Sequence, residues 1–216
     1  MLIKTTKSLF RGTYQYKIVL TCAGAAFFRS GDMDSTLANL NKITLNDNST
    51  KQGSMGYVTS WRAGIKTQED LDYAFKLQKQ LKKLSNIDIR VESPYISIYS
   101  NTKADIDTLI KLNVDNVKYV SIPPSSSTLE VGTVIMPKMP FDYRITLGKT
   151  TQTHESFISW AESNAKLKLT KSCKRDLNKE RSWGGTYFYV TGDNNLLLTK
   201  MHLGGSINKV ERIIKA

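Results

Sequence analysis

Between residues 67 and 122 the spacing of apolar positions switches from a helical period to alternation and back, and this stretch sets the expected architecture. Leu71, Ala74, Leu77, Leu81 and Leu84 recur at three- and four-residue steps, which predicts a helix over about residues 68–84 with one apolar stripe. Thr67 stands where the free amides of the first turn need an acceptor, and Asp70 three residues on completes the capping-box spacing. Glu69, Asp70 and Asp72 gather at its start and Lys79, Lys82 and Lys83 at its end, matching the partial charges of a helix.

Beyond this helix Ile87, Ile89 and Val91 alternate with Asp88, Arg90 and Glu92, Ser93-Pro94 breaks the run, and Ile96 and Ile98 then alternate with Tyr95, Ser97 and Tyr99. The pattern predicts a hairpin. Asn101 or Thr102 caps a further helix carrying Ile106, Leu109, Ile110 and Leu112, and Val117 to Ile122 forms a closing strand. With Tyr57 to Trp61 as first strand, the order is βαββαβ, so the expected fold is α+β with a ferredoxin-like split βαβ sheet: helices on one face, the other open. Tyr57, Trp61, Tyr95 and Tyr99 are the rings nearest that open face. They do not reproduce the glycine–aromatic pattern of RNA-recognition modules, so packing within the chain is their expected role.

Upstream, Tyr14 to Thr21 predicts a strand added to the edge of this sheet, Phe27-Phe28 an anchor, Asp32 or Asp34 the start of a short helix with Met33, Leu37 and Leu40, and residues 46–53 an exposed loop. The run Pro123-Pro124-Ser125-Ser126-Ser127-Thr128 marks a boundary. The expected division is an α+β domain over 1–122 with its ferredoxin-like core at 57–122, a Pro/Ser-rich linker over 123–140, and a smaller basic α+β domain over 141–216. A strand is expected within Val131 to Met136. The second domain should hold a strand at Tyr143 to Leu147, a helix over about 153–163, a strand at Lys166 to Thr170 and a basic helix over about 171–181. A hairpin of Thr186 to Val190 with Leu196 to Met201, turning through Gly192-Asp193-Asn194-Asn195, and a last helix over 206–215 complete the expectation.

Composition narrows the function classes. The 216 residues are 40% hydrophobic and 23% charged, which excludes global disorder and allows two small cores. A net charge of +12 points to a polyanionic partner: nucleic acid, an acidic membrane surface or an acidic protein. Residues 138–216 hold 14 Lys and Arg against 7 Asp and Glu. The densest cluster is Lys166, Lys168, Lys171, Lys174, Arg175, Lys179 and Arg181, followed directly by Trp183, Tyr187 and Tyr189, a combination suited to phosphate contact with stacking rings. Cys22 and Cys173 lie too far apart in sequence to suggest a disulfide framework or a clustered zinc site, and they fit a reducing compartment. No run approaches the roughly 20 apolar residues of a membrane span, so the expectation is no membrane and a cytoplasmic address, of a host cell or within a virion.

Catalytic chemistry finds little purchase. His154 and Glu155 are adjacent and would point apart on a helix, His202 falls in an expected strand, and Asp105 and Asp107 face different directions. No nucleophile elbow surrounds a serine. No catalytic residue, metal ligand or cofactor site is assigned. The leading expectation is therefore a non-enzymatic basic accessory protein that contacts nucleic acid, DNA or RNA, mainly through phosphates. The alternatives are a structural or interaction subunit of a larger assembly such as a phage or viral particle, for which the lysine- and asparagine-rich composition speaks, and a metal-dependent nuclease using Asp32, Asp34 and Asp47.

Overall fold

The alternating and helical patterns assemble into a mixed α+β structure with two five-stranded mixed sheets. The computed structural model describes residues 2–43, 45, 64–124 and 129–215. The expected strand Tyr57 to Trp61 and the whole loop at 46–53, with Asp47, lie outside the described residues. The chain divides into two compact units, one of Met1–Thr6 with Thr13–Ser125, the other of Lys7–Gly12 with Ser126–Ala216. Among the described residues no helix is long and apolar enough to cross a membrane.

The first unit contains β1 (Leu2–Thr5), β2 (Tyr16–Thr21), α1 (Met33–Leu40), α2 (Gln68–Leu81), β3 (Asp88–Glu92), β4 (Tyr95–Ser100), α3 (Lys103–Leu112) and β5 (Val117–Ile122). Its strands lie in the order β1-β5-β2-β4-β3, antiparallel except that β1 runs parallel to β5. The capping box at α2 forms as its sequence dictates: Asp70 N donates to Thr67 Oγ1 at 3.1 Å, and Thr67 N donates to Asp70 Oδ2 at 3.1 Å. Leu71, Ala74, Leu77 and Leu81 are buried against Ile18, Leu20, Ile96, Ile98 and Val120. Each such leucine withdrawn from water contributes about 2 kcal/mol.

Two expectations for this unit are corrected. The Tyr14 to Thr21 strand is central, not at an edge: β2 pairs with β4 on one side and β5 on the other. Its three consecutive buried residues, Ile18, Val19 and Leu20, are the mark of a strand covered on both faces. Nor is the second sheet face open, since Val19, Ser97, Tyr99 and Ser121 are buried there. Phe27 and Phe28 are buried anchors, in a short 3-10 segment, Ala25–Ser30.

The second unit contains β6 (Thr133–Ile135), β7 (Tyr143–Leu147), α4 (Glu155–Ser163), β8 (Leu167–Leu169), α5 (Lys171–Leu177), β9 (Tyr187–Val190), α6 (Asp193–Leu203) and β10 (Ile207–Ile214). Three predicted elements change. The expected second hairpin strand is helix α6, because Leu196, Leu197, Leu198, Lys200 and Met201 are helix formers and Gly192 ends β9 without folding it back. The expected last helix is β10. Ile207 and Val210 stand three apart as on a helix, but a bulge at Asn208 brings both to one face of a strand. The basic helix stops at Leu177, where Asn178 caps it, and the chain then pairs Ser182 with Thr150.

The second sheet has the order β6-β10-β7-β9-β8, which is the order of the first with β6 in the place of β1, β7 of β2, β8 of β3, β9 of β4 and β10 of β5. Strand senses agree throughout, including the parallel edge pair. The bulge recurs at the matching place: Lys118 is passed over between Val117 and Tyr119, as Asn208 is between Ile207 and Lys209. A 3-10 turn precedes both bulged strands. Tyr16-Lys17-Ile18-Val19-Leu20 then falls on Tyr143-Arg144-Ile145-Thr146-Leu147, with three identities and a conserved positive charge. The two units thus share one strand order and one set of strand senses.

Candidate nucleic-acid interface

The cations clustered in sequence are carried by β8, α5 and the segment between α5 and β9. In β8, Leu167 is buried and Leu169 packs with it, so Lys168 between them takes the opposite face, in register with Tyr189. Lys166 is fixed through its backbone, its N–H donating to Asn164 Oδ1 at 3.0 Å and its carbonyl accepting from Thr191 N at 2.9 Å. Thr170 caps α5, its hydroxyl accepting from Cys173 N at 3.2 Å and donating to the Tyr187 carbonyl at 2.7 Å. Because Cys173, Asp176 and Leu177 are the buried residues of α5, Lys171, Lys174 and Arg175 face outward. Lys179 and Arg181 are exposed beyond its end.

Carboxylates of the same chain neutralise two of these seven cations. Lys174 contacts Glu162, and Lys179 Nζ lies 3.9 Å from Asp176 Oδ1. Lys166, Lys168, Lys171, Arg175 and Arg181 have no carboxylate partner among the described residues.

The rings are placed differently. Trp183 is 90% exposed, yet its backbone is held on both sides. Ser182 and Thr150 exchange hydrogen bonds at 3.0 and 3.1 Å, and Gly184, at φ +77°, lies so close to Gly148 that a β-carbon would stand 2.2 Å from the Gly148 oxygen. Lys149 Nζ lies 5.5 Å from the Trp183 ring centroid. Tyr187 is exposed and meets Tyr189 edge-on at 5.7 Å, with the Arg144 guanidinium 5.8 Å from its ring. Tyr189 itself is buried and stacks on Phe141 at 5.6 Å. Lys149 and Arg144 are absent from the cluster read in sequence, because strand pairing and not chain proximity brings them to these rings.

Arg144 also closes a buried ion pair. Its Nε and Nη2 donate to Glu211 Oε2 at 2.8 and 2.6 Å, and Lys209 Nζ lies 2.7 Å from Oε1, while the Glu211 side chain is 1% exposed. Two cations thus hold one desolvated carboxylate on the sheet face opposite the helices.

Asp32, Asp34, His154 and His202 each have a structural partner. Asp32 caps α1, accepting from Asp34 N at 3.1 Å and Ser35 N at 3.2 Å, and Asp34 pairs with Lys82. His154 is buried, which lowers its pKa, and its Nε2 lies 3.1 Å from Ser206 Oγ. His202 stacks on Trp160 at 5.0 Å, on helix α6 and not in the strand its sequence context implied. Burial pushes the Cys22 and Cys173 thiols up to about 12, so neither is a thiolate nucleophile at neutral pH. Among the described residues no three His, Cys, Asp or Glu side chains converge on a point that could hold a metal ion.

Comparison with models of known families, with curated proteins and with solved structures gives no match.

Proposed function

We propose that the protein is a non-enzymatic nucleic-acid-contacting protein built from two ferredoxin-like split βαβ units, and that the second unit carries the contact. The strand order and the antiparallel pairing of β5-β2-β4-β3 and of β10-β7-β9-β8 support the split βαβ reading. One observation carries the functional reading: Lys166, Lys168, Lys171, Arg175 and Arg181 are exposed and, among the described residues, without carboxylate partners, and the chain that follows them carries an exposed tryptophan on a braced turn. Such cations meet phosphates, and a ring fixed in solvent offers a stacking surface to an unpaired base, which favours single strands over duplex.

The test is fluorescence anisotropy of the full chain with labelled single- and double-stranded oligonucleotides at several salt concentrations. Five phosphate contacts predict a log–log salt slope of about −3.5 for single strands. Lys168→Glu with Arg175→Glu should weaken binding to both forms, whereas Trp183→Ala should weaken the single strand selectively. The oligonucleotide should stay uncut in Mg²⁺. Binding indifferent to salt and to these substitutions would remove the reading.

A second reading, an interaction subunit of a larger assembly, is favoured by the exposed Leu197, Leu198 and Met201 on one face of α6. A monodisperse monomer by light scattering at high concentration counts against it.

A further inference from the structure

The matching strand orders allow the helix seam over one sheet to be compared with the seam over the other. In the second unit α4 and α6 meet through rings: Trp160 stacks on His202 at 5.0 Å, and Phe157 lies 5.8 Å from Trp160 and 6.0 Å from His202. That seam is plugged. In the first unit the matching helices are α2 and α3, tied at one end where Asn113 Nδ2 donates to Gln80 Oε1 at 2.9 Å. Alongside this tie lies a groove of about 610 Å³, lined by the apolar Phe75 and Leu112, by Lys76, Lys79 and Lys83, and by Gln80 and a single carboxylate, Asp72, which the Gln68 amide engages.

Lys76 and Lys79 stand three apart on one side of α2, and Lys83 follows in the turn just past its end. All are exposed, and none has a carboxylate partner among the described residues, although the neighbouring Lys82 is paired with Asp34. Leu112 is 44% exposed, an apolar side chain left uncovered beside three positive charges. The chemistry that fits both features is apolar side chains flanked by carboxylates. Lysine stems line such a groove with methylene groups while their ammonium ends reach the rim. A nucleic-acid strand would use the charges but leave Leu112 without a partner, since the one ring in the groove, Phe75, is half-buried and offers little open face for a base to stack on.

We propose that this groove docks an acidic amphipathic segment of a protein partner, in the helix-in-groove mode, its apolar side chains on Phe75 and Leu112 and its carboxylates on Lys76, Lys79 and Lys83. The groove is built from residues of the first unit alone, and the proposal does not rest on the reading of the second.

The experiment uses the full chain and three fluorescent probes. The first is a helical peptide of about 14 residues with leucines on one face and glutamates beside them, the second has the same composition with the leucines scattered round the helix, and the third is a single strand of about 20 nucleotides. The first peptide should bind at least about tenfold tighter than the second, and lose at least about tenfold in affinity on Lys79→Glu with Lys83→Glu, and again on Leu112→Asp. Oligonucleotide binding should not change in these variants. Backbone amide NMR shifts on the unmutated chain should map the first peptide to residues 72–83 and 112, which keeps the test valid if a variant folds poorly. Equal binding of the two peptides, absence of binding, shifts elsewhere, or loss of oligonucleotide binding in the same variants would overturn the proposal.

Discussion

Lys17 and Arg144 stand at the same position of two sheets built in the same order, and each faces a tyrosine of the next strand, Tyr99 and Tyr189. On the other side the two differ: Lys17 is in register with Ser121, whereas Arg144 is in register with the buried Glu211. The shared framework thus holds a cation and a ring in both halves, and in the second a buried carboxylate, Glu211, pairs with that cation.

That carboxylate makes Arg144 structurally expensive to remove. Arg144→Leu should lower stability by about 3 kcal/mol, because Glu211 keeps only Lys209 as a partner in a desolvated site. Adding Glu211→Leu should recover most of the loss. Urea denaturation of the two variants, with unchanged slopes, checks both statements.

Gly184→Ala should cost about 2 kcal/mol or more, since it combines a positive φ with a β-carbon inside the Gly148 carbonyl. Trp183→Ala, one residue earlier and exposed, should change stability by less than about 0.5 kcal/mol. Thermal melts of the pair separate the turn's structural role from the ring's.

The Asp70 carboxyl is worked on from two directions. Partial burial raises its pKa, but the Lys66 and Thr67 amides, the Thr67 hydroxyl and the Lys66 charge outweigh this, and the net shift is downward. A lowered folded value means that the unfolded chain takes up the proton first. The stability Asp70 contributes is therefore complete above its ordinary value of 3.8 and is lost as the pH falls through the folded value. Asp70→Asn should flatten this acid limb, and Thr67→Ala should cost about 1 kcal/mol at neutral pH. Denaturation midpoints between pH 7 and pH 2 read out both.

His154 acts in a higher window with the same sign. Burial lowers its pKa below the ordinary 6.5, so the unfolded chain protonates more readily, and stability should decline as the pH falls from about 6.5 until the buried ring itself titrates. His154→Gln should remove this slope while leaving the Asp70 limb in place. A pH series of thermal melts distinguishes the two.

Helix α2 could be read from its start through Leu81, because its cap and stripe are local features that form, while its end falls three residues short of the expected 84 and leaves Lys82, Lys83 and Leu84 beyond it. The place of β2 could not, since Tyr16 to Thr21 alternates much as an edge strand would, and only its pairing with β4 on one side and β5 on the other makes it central. The tail misleads for a definite reason: a bulge at Asn208 lends β10 the three-residue spacing of a helix, and the same device sits at Lys118. Without it the two halves would have looked alike sooner. In the candidate interface, the cations from Lys166 to Arg181 are neighbours in sequence and stand out at once, while Lys149 and Arg144 reach Trp183 and Tyr187 only through pairing across the second sheet.

The first dozen residues are divided between the halves, β1 lying against β5 and Lys7 accepting a hydrogen bond from Ile135 at 2.7 Å. On the ribosome the leading strand must wait for a partner that emerges about 115 residues later, so neither half closes in the simple order of synthesis. Expressing either half alone by cutting after residue 125 would strand a piece of the other, and a faithful dissection has to carry the leader into both fragments.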